Sequence, residues 1–295
     1  MIDVPAGFHA RITAAHGAAG RRWLSALPAA VDRICREWGL RPDDGPVLHG
    51  NCGIVVPVRG TDGPLALKVS WRDDKTRWEA WALAAWAGNG AARLLAHRES
   101  AGALLLERLD PQASLERVPL DTAAAAAGRL LRRLSVPVTP PRDGPPRLAA
   151  LAEEYARQWH GAPRVPIPSA VLDAARQTCR ELGPDAGDLL VDQDLHYANV
   201  LRARREPWLA IDPKVVLGDP EFGVAPLLWN RFDPRLGPGE LRRRLEVIVE
   251  AGELDPVLAR RWSLVRVVEF WMWALDTGST WGNRAAAALA DWLGD

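Results

Sequence analysis

Lysine is nearly missing from this chain. Lys68, Lys75 and Lys214 are the three lysines among 37 basic residues, and every other basic position is arginine. That bias, with abundant Ala, Pro and Gly, points to a GC-rich genome, and it makes a lysine inside an apolar run worth explaining. Cysteine is scarce as well. Cys35, Cys52 and Cys179 are odd in number and far apart, which excludes a disulfide framework or a metal-binding Cys spacing and fits a reducing, cytoplasmic compartment. Net charge is absent: 37 acidic residues balance 37 basic ones, so no overall field argues for nucleic acid or an anionic membrane as partner. No uncharged apolar run reaches the length of a membrane-spanning helix, and the N-terminus lacks the basic and apolar regions of a signal peptide.

What is present is an ordinary globular composition, with 48% hydrophobic and 25% charged residues over 295 positions. That length suffices for one large domain or two moderate lobes. The most informative stretch runs from Val191 to Pro213. An apolar strand, Leu189 to Val191, leads into a loop bearing Asp194 and Asn199, and a second strand, Trp208 to Ile211, ends in Asp212. Two carboxylates and one amide at strand ends are hard oxygen ligands of the kind that suit Mg²⁺, which takes few carboxylates and keeps room for substrate phosphates. Asp-x-x-x-x-Asn is also the spacing of the protein-kinase catalytic loop, where the Asp accepts a hydroxyl proton and the Asn holds a metal. ATP-dependent phosphoryl transfer is the chemistry to expect.

The rest of the chain supplies partners for that loop. Residues 1–17 read as a polar, irregular lead. Apolar residues from Trp23 to Trp38 recur every three or four positions, one face of a helix that Pro28 would bend or begin. Ile54 to Val58 and Pro64 to Ser70 flank Arg-Gly-Thr-Asp-Gly, a hairpin signal, and Pro57 puts the first strand at an edge or bulge. Lys68 interrupts the apolar strand Leu-Ala-Leu-Lys-Val. Glu79 follows on the same side of a helix as Leu83 and Trp86, where a carboxylate is costly unless paired. A strand lysine paired to a helix glutamate and reaching nucleotide phosphates is the kinase arrangement. The strand Ala101 to Glu107 ends in Arg108-Leu-Asp-Pro111, a hinge between a β-rich and a helix-rich half. In kinase-like folds the adenine base contacts the backbone of such a segment, here Glu107 and Leu109.

Beyond the hinge helices dominate. Asp121 is placed to cap one ending near Leu134, with Ala123 to Ala127 as a close-packed face. Others cover about 147–159, 168–182, 220–229, 241–249, 256–275 and 284–293. Asp255-Pro256 is an N-cap followed by N1, and the Arg242–Arg244 run reads as a solvated face. His196 reads as a brace of the loop. No internal repeat is found.

Val-Asp-Gln-Asp-Leu-His-Tyr-Ala-Asn-Val-Leu, then Arg-Glu-Pro-Trp-Leu-Ala-Ile-Asp-Pro-Lys and Ala-Pro-Leu-Leu-Trp-Asn230, resemble the aminoglycoside/hydroxyurea antibiotic-resistance kinases. Trp-Leu-Ser-Ala-Leu-Pro28, Ala-Leu-Lys-Val69 and Leu-Leu-Leu-Glu-Arg-Leu109 extend the likeness over nearly the whole chain. The resemblance implies an α+β, two-lobed protein-kinase-like fold, with a small antiparallel-sheet N-lobe (1–108) and a larger helical C-lobe (109–295). It implies ATP and Mg²⁺ as cofactors, Asp194 as base, Asn199 and Asp212 as metal ligands, and Lys68 with Glu79 at the phosphates. The acceptor would be a cationic antibiotic such as streptomycin, received by acidic side chains for which Asp233, Glu269 and Asp276 are candidates. Hydroxyurea, a peptide antibiotic or a metabolite hydroxyl are alternative acceptors, and a nucleotide-binding pseudokinase is a further alternative. A monomer or weak dimer is expected. Three positions depart from the family's usual residues. Asp192 stands two residues before Asp194 where His is common, Gly223 where an Asp braces the loop, and Ser135 where His is frequent. The carboxylate of Asp192 would raise the proton affinity of Asp194 if the two lie close.

Overall fold

A computed structural model describes residues 2–74, 76–160, 166–235 and 237–294. The chain divides between Asp110 and Pro111 into two compact units. The first opens with helix α1 (Ala6–Glu37), so the irregular lead expected for residues 1–17 is in fact helical. Phe8 and Ile12, one turn apart, are fully buried, and their burial outweighs the polar residues around them. The break lies not at Pro28, which sits inside the helix, but at Gly17, where the backbone turns to φ 54° and ψ −129°.

Short strands β1 (Arg41–Pro42) and β2 (Leu48–His49) precede the hairpin β3 (Gly53–Gly60) and β4 (Gly63–Ser70). Gly60 pairs with Gly63, leaving Thr61 and Asp62 as a two-residue turn. Helix α2 (Glu79–Trp86) and strands β5 (Leu94–Arg98) and β6 (Ala103–Glu107) complete the unit. The antiparallel sheet runs β1-β3-β4-β6-β5, with β2 also on β3. Pro57, which has no N–H to donate, falls opposite the gap between β1 and β2, whose pairings with β3 stop at Val58 and Val55. Ile54, Val56 and Val58 alternate inward with Leu67 and Val69, and join Leu27, Val31 and Ile34 of α1 in one core.

The second unit has little sheet. β7 (Asp110–Ser114), β8 (Val136–Pro137), β9 (Leu189–Asp192), β10 (Val200–Arg202), β11 (Leu209–Ala210) and β12 (Val215–Gly218) form two three-stranded sheets, β11-β10-β7 and β12-β9-β8. Helices α3 (Leu120–Leu134), α4 (Leu148–Gln158), α5 (Ser169–Leu182), α6 (Ala225–Trp229), α7 (Pro238–Gly252), α8 (Pro256–Thr277) and α9 (Thr280–Gly294) surround them. Ala123, Ala124, Ala126 and Ala127 are buried, and α3 approaches α7 so closely that a Cβ on Gly128 would lie 2.5 Å from the carbonyl oxygen of Ile248.

Several helix ends differ from the sequence expectation. Asp121 does not cap α3, whose N-cap is Pro119; it pairs instead with Arg243 of α7. The stretch 220–229 is a 3-10 turn (Pro220–Gly223) followed by short α6, because Pro226 cannot donate the bond that would continue the turn as an α-helix. Arg244 is not solvated. It is 1% exposed and donates to the carbonyls of Leu228, at 2.9 Å, and Asn230, at 3.2 Å, since two carbonyls at the end of α6 lack intrahelical donors. Asp255 caps α8 as expected, its Oδ1 accepting from the amides of Val257 and Leu258. No helix among the described residues is long and apolar enough to cross a membrane.

Candidate active site

The loop after β9 is built by local pairing. β10 and β11 align Val200 with Ala210, and the amide of Ile211 donates to the Asn199 carbonyl at 2.9 Å. That register sets Asn199 beside the strand end carrying Asp212. The Asn199 carboxamide donates at 3.4 Å to the backbone carbonyl of Asp194, so the loop folds back on itself. Asp212 has φ 53°, left-handed backbone, and the following Pro213 disfavours helical conformations there. Such strain costs of order 1–3 kcal/mol and concentrates at functional sites.

The Asp194 carboxylate takes an ion pair from Lys214, both side chains being partly buried. Lys214 is itself fixed at both backbone groups: its carbonyl accepts from Gln193 N at 2.8 Å, and its amide donates to Asp192 Oδ1 at 3.2 Å. This lysine was not singled out in the sequence as a site residue. Two signals point to it, its rarity in an arginine-rich chain and its place two residues after Asp212.

Asp192 is 1% exposed. Its Oδ1 accepts from the amides of Asp194, at 3.0 Å, and Lys214, while Oδ2 is buried without a partner among the described residues. Burial first, with the neighbouring Asp194 charge adding to it, pushes the Asp192 carboxyl up to about 8. Asp192 therefore braces the loop from within as a neutral acid. From its ordinary value near 3.8 up to about 8, the folded protein keeps a proton that the unfolded chain releases. Stability is accordingly full below the lower value and falls as pH rises towards the upper. Asp192→Asn keeps the Oδ1 acceptor and never ionises. Its melting temperature should exceed that of the parent by a margin that widens between pH 5 and pH 8, and a margin independent of pH contradicts the buried-acid reading.

His196 does not brace the loop as expected. Its Nδ1 is buried without a hydrogen-bond partner among the described residues, and burial holds its proton affinity below the usual imidazole range. The bracing comes from other groups. Tyr197 Oη donates to the Leu227 carbonyl at 3.1 Å, and Arg266 donates to the Gln193 carbonyl at 3.1 Å. Gly223 packs onto the same loop: a Cβ there would stand 2.6 Å from Leu131 Cδ1 and 2.8 Å from the Asp192 carbonyl. Ser135 is buried and turned onto its own helix, donating to the Leu131 carbonyl at 2.7 Å.

In the first unit, Lys68 Nζ lies 2.6 Å and 2.7 Å from the two Glu79 oxygens, with both residues buried. Glu107 turns inward to Arg93, its Oε1 accepting from the Arg93 amide at 2.7 Å and its own amide donating to the Arg93 carbonyl at 3.1 Å. Arg108 donates to the carbonyls of Leu65 and Val58. The Leu109 backbone makes no hydrogen bond among the described residues.

Of the three candidate acceptor acids, Glu269 and Asp276 lie on α8 and Asp233 precedes α7. Asp233 is satisfied by Arg235, which holds its carboxyl down to about 2. Glu269 pairs with Arg266 on α8. Asp276, expected on or beside a buried surface, is exposed because it falls on the outer side of the last turn of α8. Among the described residues no group of three His, Cys, Asp or Glu side chains could hold a metal ion.

A family profile described as aminoglycoside/hydroxyurea antibiotic resistance kinase matches residues 37–278. A streptomycin 6-kinase from Streptomyces griseus is 37% identical over 299 residues, covering 99% of this chain and 97% of the relative. A hydroxyurea phosphotransferase from Kitasatospora aureofaciens is 36% identical over 306 residues, covering 99% and 86%. Among solved structures, the aminoglycoside phosphotransferase APH(4)-Ia, in a ternary complex with ADP and hygromycin B, shares the fold. It has a TM-score of 0.63 at 16% identity, over 89% of this chain and 97% of that one.

Proposed function

Because this chain belongs to the aminoglycoside/hydroxyurea antibiotic resistance kinase family, we propose that it transfers the γ-phosphoryl group of ATP to the 6-hydroxyl of streptomycin. The chain is a phosphotransferase with an alcohol group as acceptor. The observation that supports the reading most is the loop, where the Asp194 carboxylate is held by Lys214 beside the carboxamide of Asn199.

In this reading Asp194 orients the acceptor hydroxyl and takes its proton as the new O–P bond forms and the bond to ADP breaks. Lys214 offsets the repulsion between that carboxylate and an arriving polyphosphate. The donor set fits Mg²⁺: Asp212 and Asn199 provide one carboxylate and one carboxamide, few protein ligands, as suits a cation that keeps its waters and substrate phosphates. When bound, Mg²⁺ neutralises charge on the phosphate oxygens. In the first unit, Glu79 holds the Lys68 ammonium ready for the nucleotide phosphates. Leu109 suits the adenine edge better than Glu107, whose amide is already engaged with Arg93.

Hydroxyurea is the second reading, favoured by the relative that is 36% identical across this chain. Incubation with Mg·ATP and either acceptor, followed by mass spectrometry, decides between them. A single-phosphate adduct of streptomycin is the expected product. Phosphorylated hydroxyurea with unmodified streptomycin would reverse the assignment, and ATP binding without any adduct would favour the pseudokinase.

A further inference from the structure

Large apolar side chains are mostly buried in this protein, yet Trp273 and Trp281 are 47% and 44% exposed. They belong to one aromatic cluster. Phe270 stacks on Trp229 with ring centroids 4.6 Å apart and on Trp273 at 5.6 Å, while Trp281 meets Phe270 edge-on at 6.1 Å. One face of Phe270 backs the Trp273 ring, which presents its free area to solvent.

The charges around that ring follow from helix geometry. Glu269 lies four residues before Trp273 on α8 and Asp276 three residues after it. Residues at these spacings are neighbours on one helix face, so Trp273 lies between two acidic positions roughly 10 Å apart along the axis. Glu269 is held in place by Arg266, and Asp276 is exposed.

The cluster adjoins the loop. Arg266, one turn before Phe270, donates to the carbonyl of Gln193, the residue preceding Asp194. Its guanidinium also lies 4.9 Å from the Phe222 ring centroid and 5.7 Å from that of Trp229. The protein thus already seats one guanidinium on this aromatic floor, against a ring at one end of the stack.

We infer that the Trp273 face, flanked by Glu269 and Asp276, is a subsite for a guanidinium group of the acceptor. This rests on the proposed function. Streptomycin carries two guanidinium groups on the same six-membered ring as its 6-hydroxyl, so a group held here belongs to the ring that must reach Asp194. A planar cation over an indole ring gains quadrupole attraction, and carboxylates at either side complement its charge.

Streptidine, the isolated guanidinium-bearing ring, serves as the probe in equilibrium calorimetry with the full chain, and turnover of streptomycin is followed separately. Trp273→Ala should weaken streptidine binding roughly tenfold, in the range of one cation–π contact. Trp273→Phe should recover part of the loss, and Asp276→Asn should weaken binding by a smaller factor. Thermal melts check that each variant is folded, which exposure of both side chains favours. Parent-like affinity in Trp273→Ala overturns the subsite, as does absence of streptidine binding by the parent. Binding that depends on Trp273 without phosphorylation of streptomycin would leave the subsite standing and overturn the proposed reaction instead.

Discussion

Asp194→Asn is expected to lower kcat by about 10²–10⁴-fold, the range for losing a positioned general base. The carboxamide preserves shape but accepts a proton poorly, so the loss should appear in kcat more than in nucleotide binding. Loop geometry should survive, because the contacts that fix it run elsewhere, through the Asp192 carboxyl, Tyr197 Oη and Arg266. What changes is Lys214, which loses the carboxylate of Asp194. Steady-state kinetics together with binding of Mg·ADP measured by calorimetry would check the result. Turnover within a few-fold of the parent would show that Asp194 is not the base.

The Lys68–Glu79 pair predicts a separation of stability from activity. Both ions are buried, with side chains 9% and 3% exposed, and removing one partner of such a pair leaves a charge uncompensated at a cost of about 3–5 kcal/mol. Lys68→Met and Glu79→Gln should each lower the unfolding free energy by an amount of that order. Lys68→Met combined with Glu79→Met removes both charges, and should recover much of the loss, since apolar replacement of a whole buried pair is often neutral or better. Phosphotransfer should not recover, because no ammonium remains for the nucleotide. Denaturant titrations and kinetics on the two single variants and the double variant would test this. A double variant as active as the parent would confine the pair to a structural role.

Much of this was legible in the sequence where a local rule acts alone. The hairpin 53–70 follows from its apolar strands and its two-residue turn, and the Asp255 cap from one side chain followed by proline. Lys68 and Glu79 were readable because each is a charge in an otherwise apolar element, and burial forces such charges to find each other. The failures lie where distant packing overrides a local pattern. The lead helix was hidden by polar residues and by Gly17. Arg244 sat in a run that looks solvated, and only the carbonyls at the end of α6 show what it serves. Asp192 suggested an effect on Asp194, whereas its own complete burial makes it the perturbed group. Lys214 was missed because its role depends on β9 and β12 pairing side by side, which spacing along the chain does not show.

The contact between Gly223 and the Asp192 carbonyl restricts how this sequence can evolve. Residue 223 has space for no side chain while Leu131 and the loop stand where they do. An acid placed there would push the loop aside before it could brace anything, and losing the Asp192 carboxyl would leave the loop amides of Asp194 and Lys214 without their acceptor. Positions 192 and 223 thus constrain one stretch of backbone from two sides, one by the acceptor it supplies and the other by the space it leaves open.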